Sequence, residues 1–343
     1  MTGEKKVLGF GELLMRLGTR QHQRFTQARG FDAYYTGAEA NACVSLANYG
    51  IEAHVVSKVP DNDIGQACIN FLKGHGLGTD YIARGGDRLG IFYLETGASQ
   101  RPSKVIYDRA HSAFTTLRRG ELDWQTILQG KDWLHFSGTG PALGPNMPEV
   151  FEEACQSAQQ MGVTVSCDLN YRKKLWSTER AQRVMTGLMA YVDVLLCNEE
   201  DAEKVFGIKA EGVDVRSDRL EADKYEDVTR QLHQCFGFKY VAITLRESLS
   251  ASFNNWSGVL YDGTQLYRSC VYNMYMVDRV GGGDSFGGGL IYGLLTGMPL
   301  QDVIEFAAAA SCLKHSIPGD FNLASLEEVM TLVRGDASGR VQR

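Results

Sequence analysis

Three consecutive glycines, Gly281, Gly282 and Gly283, constrain what this chain can fold into more than any other stretch. An apolar, β-prone run at 270–277 leads into them. After them come Asp284 and a helical spacing of apolar residues: Phe286, Leu290, Ile291 and Leu294. Glycines before a helix N-terminus leave backbone N–H groups bare and free to turn toward one point. Such a nest, reinforced by the helix dipole, cradles a phosphate or another developing anion. Asp284, in the first turn, puts a carboxylate within reach of whatever binds there. An anion cradle with a fixed base beside it is what phosphoryl transfer to an alcohol needs.

The same residues admit other readings. Residues 283–287 spell G-x-S-x-G, the nucleophile elbow of an α/β-hydrolase, with Ser285 as nucleophile. That fold needs an acid and then a histidine on separate later strands, and only His315 follows, on one helix with Asp302. Phe286 occupies the third glycine of the dinucleotide pattern G-x-G-x-x-G, and no Walker A motif occurs. The plainest alternative is a helix-start loop in which Asp284 is a cap and the later glycines allow close packing.

The longer run DRVGGGDSFGGGL resembles the C-terminal signature of ribokinase-type (PfkB) sugar kinases, D-T-x-G-A-G-D-x-F. Asp278, Gly281, Gly283, Asp284 and Phe286 match; Arg279 stands for Thr and Gly282 for Ala. The resemblance implies a ribokinase-like three-layer α/β/α sandwich with a mainly parallel central sheet and a small β-sheet lid. Its domain would be a single one over residues 1–335, with lid strands inserted at about 24–36 and 90–110 and a polar tail at 336–343.

The remainder of the chain agrees with an α/β enzyme. From residue 133 strands (Trp133–Ser137, 163–168, 192–197, 240–244) alternate with helices (147–161, 179–190, 199–206, Tyr225–Phe236), the rhythm of a parallel sheet covered on both faces. Residues 209–224 are charged and read as a surface loop. Further β segments (251–261, 265–277) precede helices at 284–295, 300–315 and 326–334. The segments at 24–35 and 90–107 fall outside this rhythm and resemble the family's lid, which keeps water from the γ-phosphate.

With 44% hydrophobic and 22% charged residues the composition is that of a soluble globular protein, and a net charge of −6 offers no basic surplus for nucleic acid or an anionic membrane. Eight scattered cysteines without a C-x-x-C pair predict reduced, mostly buried thiols and a cytoplasmic protein. Gly11 and Glu12 interrupt the N-terminal apolar run, which reads as a strand and turn and not as a signal peptide, and no run approaches a membrane span.

The resemblance assigns further residues. Gly37-Ala38-Glu39-Ala40-Asn41 is similar to the N-terminal G-G-x-x-N signature, where small residues admit a sugar and Asn41 meets hydroxyls. Asn198-Glu199-Glu200-Asp201 is similar to N-x-x-E near the magnesium–phosphate region, with Glu200 or Asp201 as the acid. Asp168-Leu169-Asn170-Tyr171-Arg172, followed by Leu175-Trp176, resembles the run of 2-keto-3-deoxygluconate kinases. Tyr93, Tyr107 and Arg109 match by position the lid residues that hold a keto-acid, and Arg172 can pair with a carboxylate or a phosphate. Thr244 and Arg246 end a strand where nucleotide contacts begin, and adenine is expected against 307–310, including Ala309, and near Asn322. Magnesium is expected near Asn198 and Asp201, a potassium ion near Asp278, and a homodimer through the lids.

The implied reaction is ATP-dependent phosphorylation of 2-keto-3-deoxygluconate at its terminal hydroxyl, with Asp284 as base and the glycine N–H groups stabilising the transferred group. Two alternatives are a neutral-sugar kinase of the same family, such as a fructokinase or ribokinase, and a non-catalytic binding regulator on the same fold.

Overall fold

The structure, a computed structural model, describes residues 5–198, 200–209 and 225–336. Most of the expected surface loop at 209–224, Glu199, and the tail beyond 336 lie outside the described residues. In chain order the first third forms β1 (Lys6–Phe10), β2 (Leu14–Thr19), β3 (Phe31–Thr36), α1 (Ala38–Asn48), β4 (Glu52–Val59), α2 (Asp63–Gly74), β5 (Ile82–Arg84), β6 (Gly90–Glu95) and β7 (Lys104–Asp108). Then come α3 (Trp124–Leu128), β8 (Trp133–Ser137), α4 (Thr139–Ala142), α5 (Met147–Gln160), β9 (Thr164–Asp168), α6 (Thr178–Met189), β10 (Val194–Asn198) and α7 (Asp201–Phe206). The last part holds α8 (Tyr225–Phe236), β11 (Tyr240–Ser248), β12 (Phe253–Tyr261), β13 (Leu266–Arg268), β14 (Tyr272–Tyr275), α9 (Gly282–Thr296), α10 (Leu300–Lys314) and α11 (Leu326–Val333).

The large sheet runs β13-β12-β11-β10-β9-β8-β1-β4-β5, parallel from β11 to β5, with the antiparallel strands gathered at the β12 edge. Its strands are apolar on both faces because helices cover both. On β1, Leu8 and Phe10 enter a cluster with Phe136, Phe151 and Trp124, while Val7 enters the opposite cluster with Phe286, Leu290 and Val303. This is the expected three-layer sandwich. The run expected as one β segment at 265–277 is instead split between β13 and β14. The Ser269 hydroxyl accepts the Gly258 N–H, so a side chain replaces a ladder carbonyl where the chain steps aside.

A separate four-stranded sheet has the order β3-β2-β6-β7. Three of its strands fall within the lid-like segments at 24–36 and 90–110; the fourth, β2, follows the turn at Gly11 and Glu12. Paired residues share a face. Arg16, Phe92 and Tyr107 are in register on one face, Leu17, Tyr93 and Ile106 on the other. Because the parallel strands β1, β8, β9, β10 and β11 all end on one edge of the large sheet, their following loops converge there, and the first face of the small sheet closes over them. That is where α/β sheets place their sites.

Candidate active site

A cleft of about 1100 Å³ occupies this edge, bounded by the small sheet (Leu14, Phe92, Val105, Tyr107) and by residues 279–284. The three glycines serve different ends. Gly281, the N-cap of α9, has φ 83°, and a Cβ there would lie 1.9 Å from the Asp320 carbonyl oxygen. A Cβ on Gly282 would strike the His315 ring, whereas Gly283 has open space beside it and faces the cleft. The N–H groups of this first turn have no intrahelical acceptor and are available to an anion.

Asp284 lines the cleft one residue later. Burial raises its pKa from 3.8 to about 6, opposed by a hydrogen bond from Asn41 and reinforced by Asp320. A carboxylate poised near neutrality is suited to accept a proton from an alcohol. Asn41 reaches it from the first turns of α1: Nδ2 donates to Asp284 Oδ2 at 2.6 Å, while Oδ1 accepts the Thr36 hydroxyl at 2.9 Å. The amide expected to meet sugar hydroxyls lines the cleft and also holds the base. Asn41→Leu is expected to lower kcat about 10-fold, and the loss of a donor to the ionised form should move the acidic limb of the pH profile upward. Steady-state kinetics across pH check this; an unchanged kcat and limb would reduce Asn41 to packing.

Other sequence-assigned residues divide. Gly37, Tyr107, Arg109, Asn170, Arg172, Asn198, Thr244, Arg246 and Asp201 line the cleft. Asn170 sits at φ 41°, a left-handed conformation that Asn tolerates, and its N–H donates to Asp168 Oδ1 at 3.1 Å. Burial, with Asp201 and Asp284 nearby, raises the Asp168 pKa well above the carboxylate range. Arg109 is already engaged: Nε donates to Glu12 at 2.7 Å, Nη2 bonds the same oxygen, and Ser112 donates to the other. Arg172, exposed toward the cleft, feels Asp168 and Asp284 without contacting them and keeps its guanidinium for a ligand.

Four assignments need correction. Tyr93 faces away from the cleft and packs on Phe31, because side chains alternate along β6; its neighbour Phe92 takes the inward place beside Tyr107. Ala309 is fully buried in a cluster with Tyr49 and Phe306, and the neighbouring Ala307 fills the space left by Gly289, so this helix opens no slot for a flat base. Asn322 is a buried tie, its amide donating to Ser285 Oγ at 2.7 Å, the Tyr49 hydroxyl and the Ala310 carbonyl. Asp278 is covered: its carboxylate accepts Arg16, Val280 N–H and Gly319 N–H. A potassium ion does not fit there.

Asn198 and Asp201 are also partly committed. Asn198 Oδ1 caps α7 through the N–H groups of Glu200 and Asp201, and the Asp201 carboxylate accepts the N–H groups of Tyr171 and Asn198. Among the described residues no three His, Cys, Asp or Glu side chains gather into a metal-holding group. Acidic oxygens of Glu200, Asp201 and Glu203 do line this end of the cleft, which suits a magnesium ion that keeps its own waters.

Several residues were not anticipated. Glu39, fully buried, accepts the N–H of Ser137 at 2.9 Å and its hydroxyl at 2.6 Å, and burial lifts its pKa to about 7. Glu12, Arg16, Lys314 and Asp320 are all buried: Glu12 pairs with Arg109, Arg16 pairs with Asp278 and Asp320, and Lys314 donates to two main-chain carbonyls. Arg279, the departure from the signature, lines the cleft beside Arg246; burial, then Arg246, lowers its pKa.

A three-layer sandwich with a small covering sheet, a glycine cradle at a helix start and a buried carboxylate in its first turn define a ribokinase-like phosphotransferase site. The chain belongs to the pfkB family of carbohydrate kinases, whose model matches residues 4–322. As a carbohydrate kinase it takes a sugar and ATP as substrates. The chain is similar to the crystal structure of 2-dehydro-3-deoxygluconokinase from Thermotoga maritima, with 51% identity, TM-score 0.93, and coverage of 96% of this chain and 100% of that one. It is 32% identical over 340 residues to the 2-dehydro-3-deoxygalactonokinase of Haloferax volcanii, covering 99% of each chain. It is 26% identical over 317 residues to the 2-dehydro-3-deoxygluconokinase of Bacillus subtilis, covering 91% of this chain and 90% of the other. Among the described residues no helix is long and apolar enough to cross a membrane.

Proposed function

We propose that this protein is an ATP-dependent kinase of 2-keto-3-deoxygluconate (2-dehydro-3-deoxygluconate) that phosphorylates its terminal hydroxyl. The observation that carries the reading is one cleft holding both a phosphoryl-transfer centre and an uncommitted guanidinium, Arg172, able to take the substrate carboxylate. The 51% identity to the Thermotoga enzyme supports the same substrate.

In this reading Asp284 accepts the proton of the terminal hydroxyl as that oxygen bonds to the γ-phosphorus and the bond to ADP breaks. The N–H groups at 281–283 donate to the oxygens of the transferred group, and Asn41 keeps the carboxylate aimed. Arg246 and Arg279 meet the nucleotide phosphates from the β11 side, where two mutually repelling guanidinium groups await an anion. Magnesium, when bound, neutralises phosphate charge; Glu200 and Asp201 would hold its waters. The small sheet excludes water from the closed cleft. Its outward face exposes Phe31 (37%) and Ile106 (53%), which supports a homodimer through that sheet, tested by sedimentation velocity.

The relative from Haloferax favours a second substrate, the galactonate epimer. ADP release with Mg-ATP over both keto-acids, fructose, ribose and no sugar tests the reading. Turnover on a keto-acid alone is expected, and the faster epimer decides between the two. Equal turnover on a neutral sugar would discard the role of Arg172. Binding without turnover would make the chain a regulator.

A further inference from the structure

The place beside Asp278 where family resemblance implies a potassium ion is filled by the chain itself. The Asp278 main-chain carbonyl accepts Lys314 Nζ at 3.3 Å, and the same ammonium donates to the Ile317 carbonyl at 3.2 Å. Two converging backbone carbonyls are ligands of the kind an alkali ion takes, and here an ammonium takes them. The Asp278 carboxylate is used as well, by Arg16 Nη2 at 2.6 Å and by the N–H groups of Val280 and Gly319, each at 3.1 Å. Arg16 also pairs with Asp320.

The ammonium also excludes a second cation. Arg16, Lys314, Asp278 and Asp320 are all buried, none more than 7% exposed, and Asp284 also acts on Lys314, so the two cations already face the carboxylates gathered there. An added monovalent cation would have to share the Asp278 and Ile317 carbonyls with the ammonium of Lys314, at like-charge contact distance and away from bulk water, which is strongly unfavourable. Burial lowers the pKa of Lys314, and Asp278 and Asp320 act against that.

The cluster also sits where it can act. Asp278 begins the loop that ends in the glycine cradle, and the Asp320 carbonyl lies against Gly281 so closely that no Cβ would fit. Holding the Asp278 and Ile317 carbonyls on one cation therefore fixes the two chain segments that shape the cradle. Sequence similarity alone cannot reveal this, because an ion and a lysine from a distant helix satisfy the same carbonyls.

We propose that Lys314 is the protein's built-in monovalent cation, a positioning residue that holds the 278–283 loop in its anion-binding shape and frees the enzyme from a need for potassium. The nucleotide part of this inference rests on the kinase reading; the cation part does not.

The test uses the whole chain and Lys314→Gln, each in KCl and in choline chloride at equal ionic strength. Thermal melting and calorimetric titration with Mg-ATP are measured in each salt. For the wild type, we expect melting midpoints within about 1 °C and Kd values within about 2-fold between the salts. For Lys314→Gln, we expect Kd in choline to rise about 10-fold, with KCl recovering at least about 3-fold of it. A merely structural lysine would give no potassium-specific rescue.

A wild type stabilised by several degrees, or bound about 5-fold tighter, in KCl overturns the proposal. So does a variant that binds nucleotide normally in choline. If the variant does not fold, the wild-type melting comparison decides alone. Absence of nucleotide binding in either salt would refute the kinase reading, while the melting comparison would still decide the question of the cation.

Discussion

Replacing Asp284 with Asn is expected to lower kcat by about 10²-fold or more while raising the melting temperature at neutral pH. Both effects follow from one buried carboxyl. With a pKa of about 6 in the folded protein against an ordinary value of 3.8, Asp284 is ionised at neutral pH and able to take a proton from the attacking hydroxyl. Asn keeps the shape and can still meet Asn41, yet it accepts no proton. The wild-type kcat/KM should fall as pH drops through about 6, because protonation removes the base, and this limb should be lost in the variant. The sign of the stability effect is opposite. Between 3.8 and about 6 the unfolded chain has released a proton that the folded chain still holds, so stability falls as pH rises. Above about 6 the full cost of the buried charge is present, on the order of 3 kcal/mol. The variant should therefore melt several degrees above the wild type at pH 8, and the difference should vanish below about pH 4. Near-normal turnover in Asp284→Asn would sink the base assignment; a lower melting temperature at pH 8 would instead mean that the carboxylate is stabilised by contacts that burial does not outweigh.

What could be read from sequence depended on how far a residue's partners lie along the chain. The cradle was legible because its parts are contiguous: glycines, an acid and a helical period within one short run. The parallel sheet was legible because strands buried on both faces, such as Trp133–Ser137, read as unbroken apolar runs between amphipathic helices. Arg16 was not, since its two carboxylate partners lie 262 and 304 residues away and its strand, LMRLGT, is short and follows directly on a turn. Lys314 looked like the basic end of a helix, a common and usually exposed position, yet it is fully buried. Tyr93 was misplaced by one residue, and in a strand a slip of one reverses the face, so Phe92 holds the inward place. Small side chains at 307–310 suggested room for a base; the glycine face of α9 takes that room by close helix packing, with 2.9 Å left between a Cβ on Gly289 and Ala307. In each of these cases the missing information was tertiary: which face, or which distant charge.

Arg172 and Arg109 looked equivalent in sequence, and their different partners predict different losses. Arg172→Leu is expected to reduce kcat/KM for a 2-keto-3-deoxy acid by about 10²-fold, near 2.7 kcal/mol, with little change on a neutral sugar and little change in melting temperature. Its guanidinium is exposed toward the cleft, so removing it strands no buried partner. Arg109→Leu strands Glu12, which is only 4% exposed and would keep the Ser112 hydroxyl as its remaining donor. Breaking such a pair costs roughly 3 kcal/mol, so this variant should melt several degrees lower and lose activity on acid and neutral sugars alike. The comparison separates charge recognition from scaffold. If Arg172→Leu lost both substrates equally, its role would move to the phosphates; if Arg109→Leu lost only the acid without melting earlier, the carboxylate would belong to Arg109, and Glu12 would have to release it when substrate binds.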